Sequence, residues 1–179
     1  MNQPKTACFS GYRPEKFSFP MEADCKEYIS LQSGITRAIG ESVQAGYRRF
    51  LSGMARGFDL VSSAILLEMK KMSPVYAGVE LVAVLPFAGH GFSGRWGVIH
   101  DAVLEEADEV VTLASPRCRK AYLERNCYMV ERSSKLLCYY DGQLGGTAHT
   151  IRYAVRSGLE VFNLADYDLL DDSFIRNKM

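Results

Sequence analysis

The stretch KLLCYYDGQLGGTAHTIRYAVRSGLEVFNL, Lys135 to Leu164, reads as a complete β-α-β unit. Lys135 to Tyr140 is a short apolar and aromatic run of strand character. Gly142 to Gly146 is a glycine-bearing turn. Ile151, Ala154 and Val155 then fall on one helical face, Gly158 stops the helix, and Glu160 to Leu164 forms a second strand. Strand, crossover helix and strand in so few residues make the repeating unit of a parallel sheet.

The same alternation runs through the rest of the chain. Thr6–Ser10, Arg49–Ser52, Glu80–Leu85 and Glu109–Leu113 are further strand-like runs. Between them lie helical patterns: Leu31, Ile35, Ala38, Ile39 and Val43 up to a stop at Gly46, then Val61, Ile65, Met69 and Met72, then Trp96, Ile99, Val103 and Ala107. Tyr122 to Ser133 is helical as well. The expected fold is α/β: a single three-layer Rossmann-like domain with a mostly parallel sheet of about six strands. No linker or repeat divides residues 1–179; the core runs from about 6 to 164, and 165–179 is a polar tail, either a short helix or a frayed end.

Composition fits this reading. With 179 residues, 47% of them apolar and 23% charged, the chain can build one ordinary core without staples. Lysine plus arginine equals aspartate plus glutamate at 21 each, so no global charge draws the chain to nucleic acid or to an anionic membrane. Nucleic acid and membrane are therefore not expected partners. The five cysteines, Cys8, Cys25, Cys118, Cys127 and Cys138, are widely spaced without a C-x-x-C, and the three histidines have no metal-ligand spacing, so no metal site is expected. The N-terminus lacks a basic segment followed by an apolar one, and no apolar run is long enough to span a bilayer; a cytoplasmic chain is expected.

In sheets of this kind ligands bind outside the carboxyl ends of the strands. The unusual residues stand there. In Asp141-Gly142-Gln143-Leu144-Gly145-Gly146-Thr147, adjacent glycines allow close approach of backbone to ligand, and a helix starting at Thr147 would aim free N–H groups at a phosphate. An ordinary turn with a threonine cap has the same sequence, so both readings stay open. In Ser52-Gly53-Met54-Ala55-Arg56-Gly57-Phe58-Asp59, Arg56 could neutralise a phosphate, and Asp59 could cap the helix, pair with Arg56 or contact a ribose hydroxyl. In Gly11-Tyr12-Arg13-Pro14, Arg13 would point to the same rim and Tyr12 offers a face for a base. In Arg125-Asn126, Asn126 could read a base or sugar edge, while a surface helix pair is the more common explanation for such residues. Trp96 is kept as a ligand contact, although its phase with Ile99 and Val103 favours the core.

Three of these segments resemble the SLOG superfamily, which includes the LOG phosphoribohydrolases, DprA (Smf) and the YpsA-like proteins. Ser52–Leu66 (SGMARGFDLVSSAIL) is similar to the SG-x-A-x-G-x-D stretch of DprA, and Arg125–Phe162 to the RN…S…(G)GT…A…G-x-V stretch of that family. Cys8–Phe17 and Leu85–Trp96 look most like the YpsA-like branch. The resemblance runs from about residue 6 to 164. It implies a nucleotide-type site at the strand ends built from Gly11, Arg13, Ser52, Gly53, Arg56, Gly57, Asp59, Asn126, Asp141, Gly145, Gly146 and Thr147. Tyr12, Met54, Trp96 and Gly142 complete the set of candidate ligand contacts.

The expected function is binding or sensing of a nucleotide or a nucleotide-derived molecule of the ADP-ribose or NAD type, with no resident cofactor and with a protein partner or a second copy as further contacts. One alternative is LOG-like N-glycosidic hydrolysis of a nucleoside monophosphate, for which Asp59 and Asp141 are the available carboxylates. LOG hydrolases carry P-G-G-x-G-T-x-x-E, and here Thr150 stands where that glutamate would be. Another alternative is DprA-like binding of single-stranded DNA, which needs a basic groove.

Overall fold

The computed structural model describes residues 5–113 and 116–169. Six strands, β1 (Lys5–Ser10), β2 (Tyr47–Ser52), β3 (Glu80–Leu85), β4 (Glu109–Thr112), β5 (Lys135–Cys138) and β6 (Glu160–Asn163), form one sheet in the order β4-β3-β2-β1-β5-β6. Every pairing is parallel. Five helices connect them: α1 (Lys26–Gln44), α2 (Phe58–Met72), α3 (Gly94–Glu106), α4 (Arg119–Glu131) and α5 (Gly146–Arg156). Helices α1, α2 and α3 pack in a row, and α4 packs with α5, giving the three-layer α/β architecture.

Burial on two faces explains the continuous apolar strands. In β1 Ala7, Cys8 and Phe9 are fully buried, and β3 carries Leu81 to Val84 in the same state. Helix α1 buries Leu31, Ile35, Ala38, Ile39 and Val43, the stripe visible in the sequence. It ends at Gln44, and Gly46 follows at φ +92°, a left-handed stop that suits glycine.

Most differences from the sequence reading are boundary shifts. Helix α1 starts at Lys26, after Pro20 and the turn that follows it. Strand β5 ends at Cys138, and Tyr139 and Tyr140 belong to the loop. The sheet is wholly parallel rather than mostly so. The short helix or frayed end expected at the C-terminus falls largely beyond Leu169, outside the described residues. Among the described residues no helix is long and apolar enough to cross a membrane.

Candidate nucleotide site at the strand ends

The sheet order places the site. Chain progression runs from β1 through β2 and β3 to β4 on one side, and from β5 to β6 on the other. The loops leaving β1 and β5 therefore diverge and open a crevice at their carboxyl ends.

The walls of this crevice are stitched together. The Tyr12 hydroxyl donates to Asp141 Oδ1 at 2.6 Å and accepts from the backbone N–H of Asp141 at 3.2 Å and of Gln143 at 3.0 Å. Thr147 Oγ1 donates to the Gly11 carbonyl at 3.0 Å, and Gln143 Nε2 to the Lys16 carbonyl at 3.0 Å. Lys16 Nζ donates to the Leu144 carbonyl at 2.6 Å and stands over Gly145. Gly146, the first residue of α5, faces open space.

The β2–α2 turn closes the third side. Gly57 has φ +90°, and a Cβ there would lie 2.4 Å from the Tyr12 carbonyl, so only glycine fits. That same carbonyl accepts the Phe58 N–H at 3.1 Å. Met54 is fully buried at φ +56°, a strained position for a side chain, held beside the Ser52–Ser63 hydroxyl pair. Asp59 is buried, and its carboxylate accepts backbone N–H groups from Ala55 and Gly11. Burial raises its pKa to about 6 against the opposing pull of Arg125, those N–H groups and Arg13.

Several expected contacts have other duties. Tyr12 offers no stacking face: its ring is fully buried among Phe17, Tyr139 and Tyr140, and its hydroxyl anchors the opposite loop. Asp141 is bound to Tyr12 rather than standing free as a base. Arg56 pairs with Glu15 at 3.2 Å. Asn126 is spent internally, accepting from Arg125 Nε at 2.8 Å and donating to Thr150 Oγ1 at 2.8 Å. Thr150 in turn donates to the Gly146 carbonyl, so the place of the LOG glutamate is a buried brace. Gly142 is covered by Tyr167. The half-buried Trp96 sits in the first turn of α3 with the Arg95 guanidinium over its ring at 5.2 Å.

Sequence reasoning passed over Arg125 and His90. Arg125 is 4% exposed. Helical side chains lean toward the helix N-terminus, and α4 starts at the carboxyl ends of the strands, so Arg125 rises into the site. A Cβ at Gly53 would come within 2.6 Å of Arg125 Nη1, so the glycine is what lets the guanidinium pass. His90, in the loop after β3, is also buried. Burial, then the nearby Arg125, His100, Arg13 and Arg117, lowers its pKa to about 4 and keeps it neutral. The signal for Arg125 was present, an arginine beside Asn126 in helical phase with Ala121 and Met129, both buried. His90 had none, because a glycine-rich loop has no periodicity.

A separate groove lies elsewhere. About 680 Å³ in volume, it sits near the amino ends of the strands, lined by Lys5, Arg49, Leu51, Val82 and Arg132 among others. Arg49 is held there by Glu80 and Glu109.

The family model described as the YspA SLOG family (YpsA) matches residues 7–165. None of the curated proteins matches the chain in sequence. Two solved structures share the fold. DNA processing protein A from Helicobacter pylori, described for its single-stranded DNA binding mode, superposes with a TM-score of 0.60 at 17% identity, covering 89% of this chain and 65% of that one. DNA processing protein A (DprA) from Streptococcus pneumoniae gives 0.61 at 17% identity, covering 97% and 53%. The chain thus spans less than two thirds of either neighbour. The expectation that nucleic acid is an unlikely partner is overturned by the first of these. It rested on net charge, which averages over the surface and conceals the exposed Arg13 and Arg117, gathered near His90 with the buried Arg125.

Proposed function

The chain belongs to the YspA SLOG family, and from that premise we propose that it binds a nucleotide or a nucleotide-derived ligand of the ADP-ribose type at the β1–β5 crevice. The observation that carries this reading is the crevice itself: two loops stitched by Tyr12 and Thr147, with Gly146 open to solvent next to Gly145, over which the Lys16 ammonium stands. Lys16 places a cation where the N–H groups of α5 converge, and an anion relieves both. Binding is favoured over hydrolysis, because Asp141 and Asp59 are both tied to hydrogen-bond donors and Thr150 is no carboxylate.

A thermal-shift panel of AMP, ADP, ATP, NAD, ADP-ribose and cyclic dinucleotides tests the reading. A ligand at about 100 times its Kd stabilises by about 2.7 kcal/mol, roughly 5–10 °C for a chain of this size. Gly146→Val fills the open space without meeting a neighbour, so it should keep its own melting temperature and lose the ligand shift. An unchanged shift in that variant refutes the placement.

A second reading, binding of single-stranded DNA, draws on the shared fold with the H. pylori protein and on the rim arginines. It requires affinity that falls steeply with salt. A gel-shift series that shows no complex at low salt eliminates it.

A further inference from the structure

The Tyr122 ring gathers an unusual set of neighbours from three separate segments. The Arg13 guanidinium lies 5.7 Å from its centroid and the Arg125 guanidinium 5.9 Å. The His90 imidazole stands 6.0 Å away and Phe87 5.8 Å. Arg117 covers Phe87 at 5.8 Å. Three guanidiniums from the β1 loop, the segment before α4, and α4 itself therefore meet around one aromatic patch.

Their charge is unbalanced. Among the described residues no carboxylate lies within ion-pair distance of Arg13, Arg117 or Arg125. Asp59 is close enough to be felt by Arg125 and Arg13 and offsets part of their charge, but it lies beyond ion-pair distance and is one carboxylate against three guanidiniums. Arg125 Nη1 and His90 Nδ1 are both buried without a hydrogen-bond partner, on side chains 4% and 7% exposed. Folded proteins seldom leave such atoms unpaired without a reason. Like-charged guanidiniums repel one another at this range, and an unpaired buried donor is costly, so a ligand that accepts from them would relieve the arrangement.

We propose that the space ringed by Arg13, Arg117, Arg125 and His90 beside Tyr122 is a binding pocket for a phosphate-sized oxyanion. Planar guanidinium forks suit two oxygens at once, and a histidine kept neutral by its setting can still donate one N–H. The pocket deepens the nucleotide reading by giving the ligand a phosphoryl subsite on the β1–β3–α4 side, and it rests on that reading only for the rest of the ligand. Phe87, Phe92 and Tyr122 pack around His90 and lower the local dielectric, which strengthens the contacts.

The test is calorimetric titration of the whole chain with inorganic phosphate and pyrophosphate, with His90 followed by imidazole NMR. Arg117→Gln changes an exposed residue and leaves folding intact; His90→Phe fills the aromatic cage. Each should weaken phosphate binding about ten-fold, the lower end of what a hydrogen bond to a charged group contributes. Lys120→Gln removes the same charge from a position 80% exposed on α4 and should change nothing. Bound phosphate should also raise the pH at which His90 takes its proton, despite Arg13, Arg117, Arg125 and His100 around it. No phosphate binding by the native chain, or equal affinity in Arg117→Gln and Lys120→Gln, overturns the pocket. If phosphate binds here and no nucleotide binds at all, the pocket stands and the nucleotide reading falls. If nucleotides bind but are indifferent to Arg117→Gln and His90→Phe, the pocket falls and the nucleotide reading stands.

Discussion

Replacing Tyr12 by phenylalanine removes one oxygen and nothing else. That oxygen donates to the Asp141 carboxylate at 2.6 Å and accepts two backbone N–H groups, from Asp141 and Gln143. A hydrogen bond to a charged group contributes about 1.5–3 kcal/mol and a neutral one about 0.5–1.5. Gln143 is exposed, so water replaces its partner, and the contributions do not simply add. The expected loss is about 2–3 kcal/mol, with the ring still packed on Phe17, Tyr139 and Tyr140. For a chain of this length that lowers Tm by roughly 5–10 °C. Urea unfolding measures the energy, and native-state hydrogen exchange locates it: the amides of Asp141 and Gln143 should exchange much faster while those of β3 hold. A variant with unchanged Tm and unchanged exchange at Gln143 would refute the claim that Tyr12 fixes the crevice wall.

Other consequences are open to simpler tests. Asp59 binds a proton more readily when folded, with a pKa near 6, and His90 less readily, near 4. Between pH 4 and 6 the folded chain holds the Asp59 proton that the unfolded chain lacks, and the unfolded chain holds the His90 proton that the folded chain lacks, so the two contributions oppose. Asp59→Asn should therefore lose stability as pH falls through this window, approaching about 1.4 kcal/mol per pH unit, and His90→Phe should gain it; parallel curves for both variants would contradict the assignment. Gly53→Ala drives a methyl into the Arg125 guanidinium and should abolish ligand binding, with a Tm drop of several degrees. Burial pushes the Cys8 thiol up to about 12 and raises that of Cys138 further, so mild alkylation of the native chain should mark exposed Cys118 and spare both until unfolding.

The fold was legible because its determinants are local. Apolar runs such as Glu80–Leu85 and the 3.6-residue stripe from Leu31 to Val43 are written directly in the chain. The loops at the strand ends could also be found, since glycine marks them. What those loops do was harder to read. Tyr12 has the same letters whether it stacks on a base or clamps Asp141, and only the 129-residue span between the two partners distinguishes them. Arg56 and Asn126 are satisfied within the protein by Glu15 and Thr150, contacts that no spacing rule anticipates. Arg125 and His90 were missed because their significance is collective. A lone arginine in a helix is unremarkable until α4 and the β3 loop carry both to the edge of Tyr122.

The proposed ligand sits at the carboxyl ends of β1, β2 and β5. Backbone amide NMR of the native chain titrated with ADP-ribose tests this placement most directly. Shift changes should concentrate at Gly11–Arg13, Gly53–Gly57 and Gly145–Thr147, with Lys5, Arg49 and Arg132 at the opposite groove silent. Saturable changes confined to that groove, or none at millimolar ligand for any nucleotide in the panel, would contradict it.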